Sequence, residues 1–175
     1  MKHLIIIDMQ NDFVTGSLGT DEAKSIVKKV TEKFYHYLKR GDRVTFTQDT
    51  HQENYLDTAE GLKLPIPHCI KGTNGHDIIP ELELPNGFVE GPVTFIEKET
   101  FGYVNWSSAV SPDEDIEIVG VCTDICVISN ALILKALYPE ASITVDASCC
   151  AGVTPDLHQK ALDVMRSCQI NIINE

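Results

Sequence analysis

Gly120-Val-Cys-Thr-Asp-Ile-Cys-Val127 lies between two apolar runs, and its reading decides the fold. Ahead of it, Ile116-Glu-Ile-Val119 has the length and content of a short buried strand that runs straight into Gly120. Behind it, Ile125 to Leu137 is almost wholly apolar and long enough for a buried helix, with Thr123 as a suitable N-cap. Cys126 then falls in the first turn of a helix that starts at the carboxyl end of a strand. Unpaired N–H groups and the positive end of the helix dipole favour a thiolate there, and they could hold an oxyanion if the thiol attacked a carbonyl. Taken alone, the plainer reading is a small residue filling space, because free cysteine is among the most buried types.

The same strand-then-turn pattern recurs outward from this point. Leu4-Ile-Ile-Ile7 is a continuous apolar run ending at Asp8, as expected of a central parallel strand. Met9-Gln-Asn-Asp-Phe13 reads as a polar turn, and Asp21 as the cap of a helix to about Lys39 with Ile26, Val30, Phe34, Tyr37 and Leu38 on one face. Gly41-Asp42 stops that helix, and Arg43-Val-Thr-Phe-Thr47 is the second strand. Thr94-Phe-Ile-Glu97, Ser142-Ile-Thr-Val145 and Ile170-Asn-Ile-Ile173 add three more. A short helix that begins within Phe101 to Trp106 and a Pro-started helix from Pro155 to Ser167 complete the pattern. Strands alternating with helices predict a three-layer α/β/α sandwich: one mainly parallel, six-stranded sheet with helices on both faces, a Rossmann-like α/β class.

In an open parallel sheet the ligand crevice lies beyond the carboxyl ends of the strands. Asp8, Asp49, Lys98 and Cys126 each follow an apolar strand or its turn, so the topology gathers them at one edge. Singly, each has a bland reading: a turn residue for Asp8, a solvated strand end for Lys98. Together they make chemical sense, with Lys98 steadying a thiolate and holding Asp8, and Asp8 carrying the thiol proton to a leaving group. The stretch from Asp49 to Gly91 shows little periodicity and is long for a connection in a compact domain, which marks it as functional. It carries Asp49-Thr-His51, whose ends share one face of an extended segment, then Glu60 and His68. Two histidines and two carboxylates suit a divalent ion such as zinc, iron or manganese, although acidic-histidine loops are also common on surfaces.

Composition narrows the partners. A formal charge of −12 on 175 residues argues against nucleic acid and against anionic membranes, since phosphate contacts need a surplus of Lys and Arg. No stretch reaches transmembrane length, and the apolar run at Leu4 is too short for a signal peptide. The six cysteines, including the adjacent Cys149 and Cys150, do not fall at disulfide-framework spacings and read as reduced thiols of a cytoplasmic protein. With no repeats or linkers, residues 1–175 form a single domain with a metal-binding loop at about 49–91.

Asp8-Met-Gln-Asn-Asp-Phe13, Asp49-Thr-His51, Pro67-His-Cys-Ile70, Lys98 and Gly120-Val-Cys-Thr-Asp-Ile-Cys-Val127, in this order along the whole chain, resemble the isochorismatase-like cysteine hydrolases, and among them the metal-dependent nicotinamidases/pyrazinamidases. The resemblance implies a triad of Cys126 as nucleophile, Asp8 as general acid/base and Lys98 as electrostatic support. It implies one divalent ion, zinc first with iron or manganese as alternatives, held by Asp49, His51, His68 and Glu60, for which Asp57 and Glu53 compete. It also implies an oxyanion hole from the N–H groups of Cys122 and Cys126, a cis Val121–Cys122 peptide, and Phe13 lining the pocket. The expected reaction turns nicotinamide into nicotinate and ammonia through a thioester, in NAD salvage, with pyrazinamide as an analogue substrate; a homo-oligomer is left open. Many such proteins carry a tryptophan before the P-H-C motif, where this chain has Leu64-Pro-Ile-Pro67. Ring packing would pass to Leu64, Phe13, Phe101, Tyr103 or Trp106. The rival readings are a metal-free relative acting on another small amide, ureide or vinyl ether, a silent binding module of the same fold, and a redox sensor resting on the cysteine count alone.

Overall fold

Six strands, all parallel, form one sheet in the order β3-β2-β1-β4-β5-β6. The strands are β1 (Lys2–Ile7), β2 (Arg43–Asp49), β3 (Val93–Lys98), β4 (Asp115–Val121), β5 (Ile143–Ala151) and β6 (Asn171–Ile173). The helices are α1 (Asn11–Val14), α2 (Asp21–Arg40), α3 (Ile128–Leu137) and α4 (Pro155–Ser167). The computed structural model describes residues 2–84 and 92–175, so the end of the predicted 49–91 loop, residues 85–91, lies outside the described residues.

The apolar run of β1 is buried on both faces, as its sequence requires. Leu4 and Ile6 pack with Ile26, Val30 and Phe34 of α2, while Ile5 and Ile7 pack with Val127, Leu134 and Leu162 on the other side. The sheet therefore has α2 on one face and α3 with α4 on the other. α2 is capped at both ends: the Thr20 side chain accepts from Ala23 N at 3.0 Å, and Gly41 closes the helix at φ 70°. The cap is Thr20, one residue before the expected Asp21.

Strand order reverses between β1 and β4, and this places the site. Ile7 pairs with Gly120, so both strands end level and their following turns diverge around a crevice. Gly120 has φ 119°, and a Cβ there would meet Ile7 O at 2.1 Å, so no other residue fits between the strands.

Several local expectations are corrected. Phe101 to Trp106 is not a helix; a single 3₁₀ turn occupies Trp106–Ser108 instead. Thr123 does not cap the nucleophile helix. A π-helical turn, Thr123–Val127, precedes α3, and the Thr123 hydroxyl pairs with His158 Nδ1 at 2.8 Å. β5 runs on to Ala151, so Cys149 and Cys150 alternate between the two core faces as free thiols. The Met9–Phe13 turn contains the one-turn helix α1. Among the described residues, no helix is long and apolar enough to cross a membrane.

Candidate active site

Asp8 ends β1 and turns the chain out of the sheet at φ 49°. Its carboxylate lies against the last residue of β3: Lys98 Nζ is 2.7 Å from Asp8 Oδ2. Thr47, one strand over, donates its hydroxyl to Asp8 Oδ1 at 2.6 Å. From the turn after β4, Cys126 Sγ comes within 3.7 Å of the same ammonium. Asp8, Thr47, Lys98 and Cys126 are all buried. Asp8, Lys98 and Cys126 thus meet as the topology requires, and the peptide bond Val121–Cys122 is cis.

Charge in this cluster is unevenly held. Burial pushes the Asp8 carboxyl above the usual range, with Asp49 adding and Lys98 pulling the other way. Burial works against the Lys98 ammonium, but Asp8, Cys126 and Asp49 together hold it charged. Burial, then the charge of Asp8, also raises the Cys126 thiol well above its ordinary value. Burial thus opposes the thiolate that the helix start favours, and the thiol lies beside a carboxyl placed to take its proton.

The second constellation abuts the first. Asp49 Oδ1 is 3.6 Å from Lys98 Nζ, while Asp49 Oδ2 lies 3.0 Å from His51 Nε2 and 3.4 Å from His68 Nε2. Glu60 Oε1 closes the group at 3.8 Å from His51 Nε2 and 3.6 Å from His68 Nε2. Among the described residues, neither Asp57 nor Glu53 reaches the two imidazoles. Asp49, His51 and His68 are buried and offer ligand atoms within 4.8 Å of one another. Although close to Asp49, His51 Nε2 is buried without a hydrogen-bond partner. His68 Nδ1 is paired with Ile66 O at 2.9 Å, which turns the Nε2 lone pair inward. Burial alone would raise Asp49, yet its two histidine partners and Lys98 hold its carboxyl far below the usual range. These clustered ligand atoms could bind a divalent metal.

Each constellation contributes to one cavity of about 660 Å³, walled by Phe13, Leu18, Leu64, Phe101, Ile125 and Val153, with Cys126 from the first, Asp49, Glu60 and His68 from the second, and Cys122 also facing it. Phe13 meets the His68 ring edge-on, centroids 5.5 Å apart. Cys122 is half-buried, its thiol pushed up to about 12 by burial. Tyr103 is not part of the wall. Its ring packs edge-on against the fully buried Trp106, centroids 5.3 Å apart, so neither ring faces a ligand. Phe13, Leu64 and Phe101 remain as packing surfaces for a planar ring.

Three contributors escaped the sequence reading. Thr47 holds Asp8. Tyr55 lies edge-on to both His51 and His68, centroids 4.7 and 5.0 Å away, and donates its hydroxyl to Leu64 O at 2.9 Å. Asn130 donates to Cys126 O and accepts from Trp106 Nε1 and Tyr103 N, tying the nucleophile turn to the wall carrying Phe101. Each of these contacts joins residues brought together by the fold, and local pattern carries no signal for them.

The Isochorismatase domain family matches residues 2–174. The chain is 27% identical to a nicotinamidase/pyrazinamidase of Mycobacterium tuberculosis, over 99% of this chain and 98% of the relative. It is similar to the structure of a Pyrococcus horikoshii pyrazinamidase in complex with zinc, with a TM-score of 0.78, 27% identity and 99% of each chain covered. An N-carbamoylsarcosine amidase of Thermoplasma acidophilum, 21% identical with a TM-score of 0.74 over 98% of this chain and 95% of that one, shares the fold.

Proposed function

The chain belongs to the isochorismatase family, and within that family we propose that it is a metal-dependent nicotinamidase, converting nicotinamide to nicotinate and ammonia. The observation that carries this reading is an apolar-walled cavity faced by Cys126 of a Cys–Asp–Lys cluster and by Asp49, Glu60 and His68 of an Asp–His–His–Glu cluster, the two joined through Asp49 and Lys98. A nicotinamidase/pyrazinamidase relative and a zinc-containing pyrazinamidase neighbour support it.

Asp49, His51, His68 and Glu60 would hold the metal, which when bound supplies a Lewis-acidic anchor for the pyridine nitrogen. Phe13, Leu64 and Phe101 pack on the ring and keep water from it. The Cys126 thiol passes its proton to Asp8 as Sγ attacks the carboxamide carbon, and Lys98 steadies the charge shared between them. The N–H groups of Cys122 and Cys126 take the oxyanion. Asp8 returns the proton to the amide nitrogen, the C–N bond breaks, ammonia leaves and a thioester to Sγ remains. Asp8 then removes a proton from water, which attacks the thioester, and nicotinate departs as the thiol re-forms.

The test is ammonia release from nicotinamide by purified protein before and after chelation. Activity that chelation removes and zinc, iron or manganese restores is the expected result. Activity indifferent to chelation would return the ligand residues to a structural role and favour the metal-free small-amide reading.

A further inference from the structure

Asp49 carries two duties, one toward Lys98 and one toward the imidazoles, and its backbone lies where the sheet runs out. On one side β3 pairs Lys98 with Asp49, and Thr50 N donates to Lys98 O at 2.9 Å. On the other side the pairing of β1 with β2 ends at Ile7 and Thr47, two residues earlier, because Asp8 leaves the sheet. The fully buried side chain of Gln10 takes the place of the missing strand. Its Oε1 accepts from Asp49 N at 2.7 Å, and its Nε2 donates to Asp49 O at 2.9 Å. The second Nε2 proton goes to His76 O at 2.8 Å, binding the strand end to the turn over Asn74–His76. A primary amide offers one acceptor and two donors, the set this place demands.

We propose that Gln10 is a positioning residue: by gripping both backbone groups of Asp49, it sets the metal-ligand cluster against the Asp8–Lys98–Cys126 cluster. Its side chain bonds the backbone of Asp49 and His76 and no side chain of either cluster. The inference rests on reading Asp49, His51 and His68 as metal ligands.

Zinc affinity, measured by competition with a chromophoric chelator, tests it without substrate. Gln10→Ala removes the grip, and Gln10→Glu keeps the shape while setting an oxygen against the Asp49 and His76 carbonyls. Both variants should bind zinc about 10–100-fold more weakly than wild type, the usual consequence of losing an outer-shell support. Saturating zinc should recover most of kcat on nicotinamide. Asn11→Ala is the control, since Asn11 Nδ2 donates to Asn74 O at 2.8 Å on the same turn without reaching Asp49; its zinc affinity should match wild type. A folded Gln10→Glu protein with a lowered melting temperature and unchanged zinc affinity would overturn the proposal, as would an Asn11→Ala protein equally weakened. Wild-type protein that takes up no zinc removes the ligand set, and this proposal falls with it. Wild-type uptake matched by both Gln10 variants overturns the role of Gln10 alone.

Discussion

The Asp8–Lys98 pair is buried, so its two members are not equivalent under mutation. Burial already pushes the Asp8 carboxyl toward its neutral form. Lys98→Met therefore leaves a carboxyl that can take a proton and lose its charge. Asp8→Asn instead leaves the ammonium, among the described residues, with only Asp49 Oδ1, 3.6 Å away, as a carboxylate partner. Breaking a buried pair so that a charge is stranded costs about 3–5 kcal/mol, and the residual contact with Asp49 places Asp8→Asn near the lower end. Urea unfolding of metal-free protein at pH 7 should show Asp8→Asn as the more destabilised variant; the reverse order would mean that Lys98 rather than Asp8 carries the labile proton. Both should lose deamidation. Cys126→Ala removes only a sulfur from a packed turn, so it should keep the native melting behaviour while ammonia release falls by at least about three orders of magnitude. Substantial turnover in that variant would remove Cys126 from the chemistry.

At the scale of elements, the nucleophile turn depends on a residue that forms no part of it. Asn130 in α3 is fully buried, and its amide bonds Cys126 O at 2.8 Å, Phe101 O at 3.2 Å, Trp106 Nε1 at 3.0 Å and Tyr103 N at 2.8 Å. Asn130→Ala strands several buried groups, each worth about 1–3 kcal/mol unpaired, so a loss of about 2–4 kcal/mol is expected from urea unfolding after partial relaxation. A loss below 1 kcal/mol would mean that water replaces the amide. This contact also explains the pattern of what the sequence disclosed. β1 was legible because a strand buried on both faces reads as one apolar run, and Asp8, Asp49, Lys98 and Cys126 were legible because a parallel sheet delivers strand ends to one edge. The stretch from Phe101 to Trp106 was misread because Asn130, more than twenty residues on, fixes its shape by bonding Phe101 O, Tyr103 N and Trp106 Nε1. Thr123 looks like a cap, but His158, brought in by α4, takes its hydroxyl. Gln10 looked like turn filler until the register of β1 and β2 showed what was missing beside Asp49. Residues whose partners follow from local periodicity could be read; those whose partners follow from strand register could not.

For the molecule as a whole, the amino-terminal edge of the sheet carries a buried polar cluster far from the cavity, and acid should reach stability through it. His3 is fully buried, with Nδ1 2.9 Å from Glu114 Oε2 and Nε2 2.8 Å from Thr45 Oγ1, while Arg43 pairs with the other Glu114 oxygen. Burial lowers the His3 pKa below 6.5, although Glu114 pulls it up. A histidine depressed in the folded state binds its proton more readily once unfolded. Its contribution is therefore complete above about pH 6.5, the unfolded value, and is lost as pH falls from there toward the folded value. Asp146, held down by Lys33, Asn174 and Ser148 against the effect of burial, and Glu114, held down by His3 and Arg43 against the same effect, add losses of the same sign below about pH 4. Asp8 and His68, whose pKa values are both raised in the fold, act with the opposite sign in this range, so the His3 contribution is read as a difference. In urea unfolding with chelator, the advantage of wild type over a His3→Gln variant should shrink between pH 7 and pH 5, by at most about 1.4 kcal/mol per pH unit. His3→Gln begins less stable at pH 7, because Glu114 and Thr45 lose a partner, but it lacks the titrating group. Its stability curve should converge on that of wild type as the pH drops, and curves that stay parallel would show that His3 does not titrate in this window.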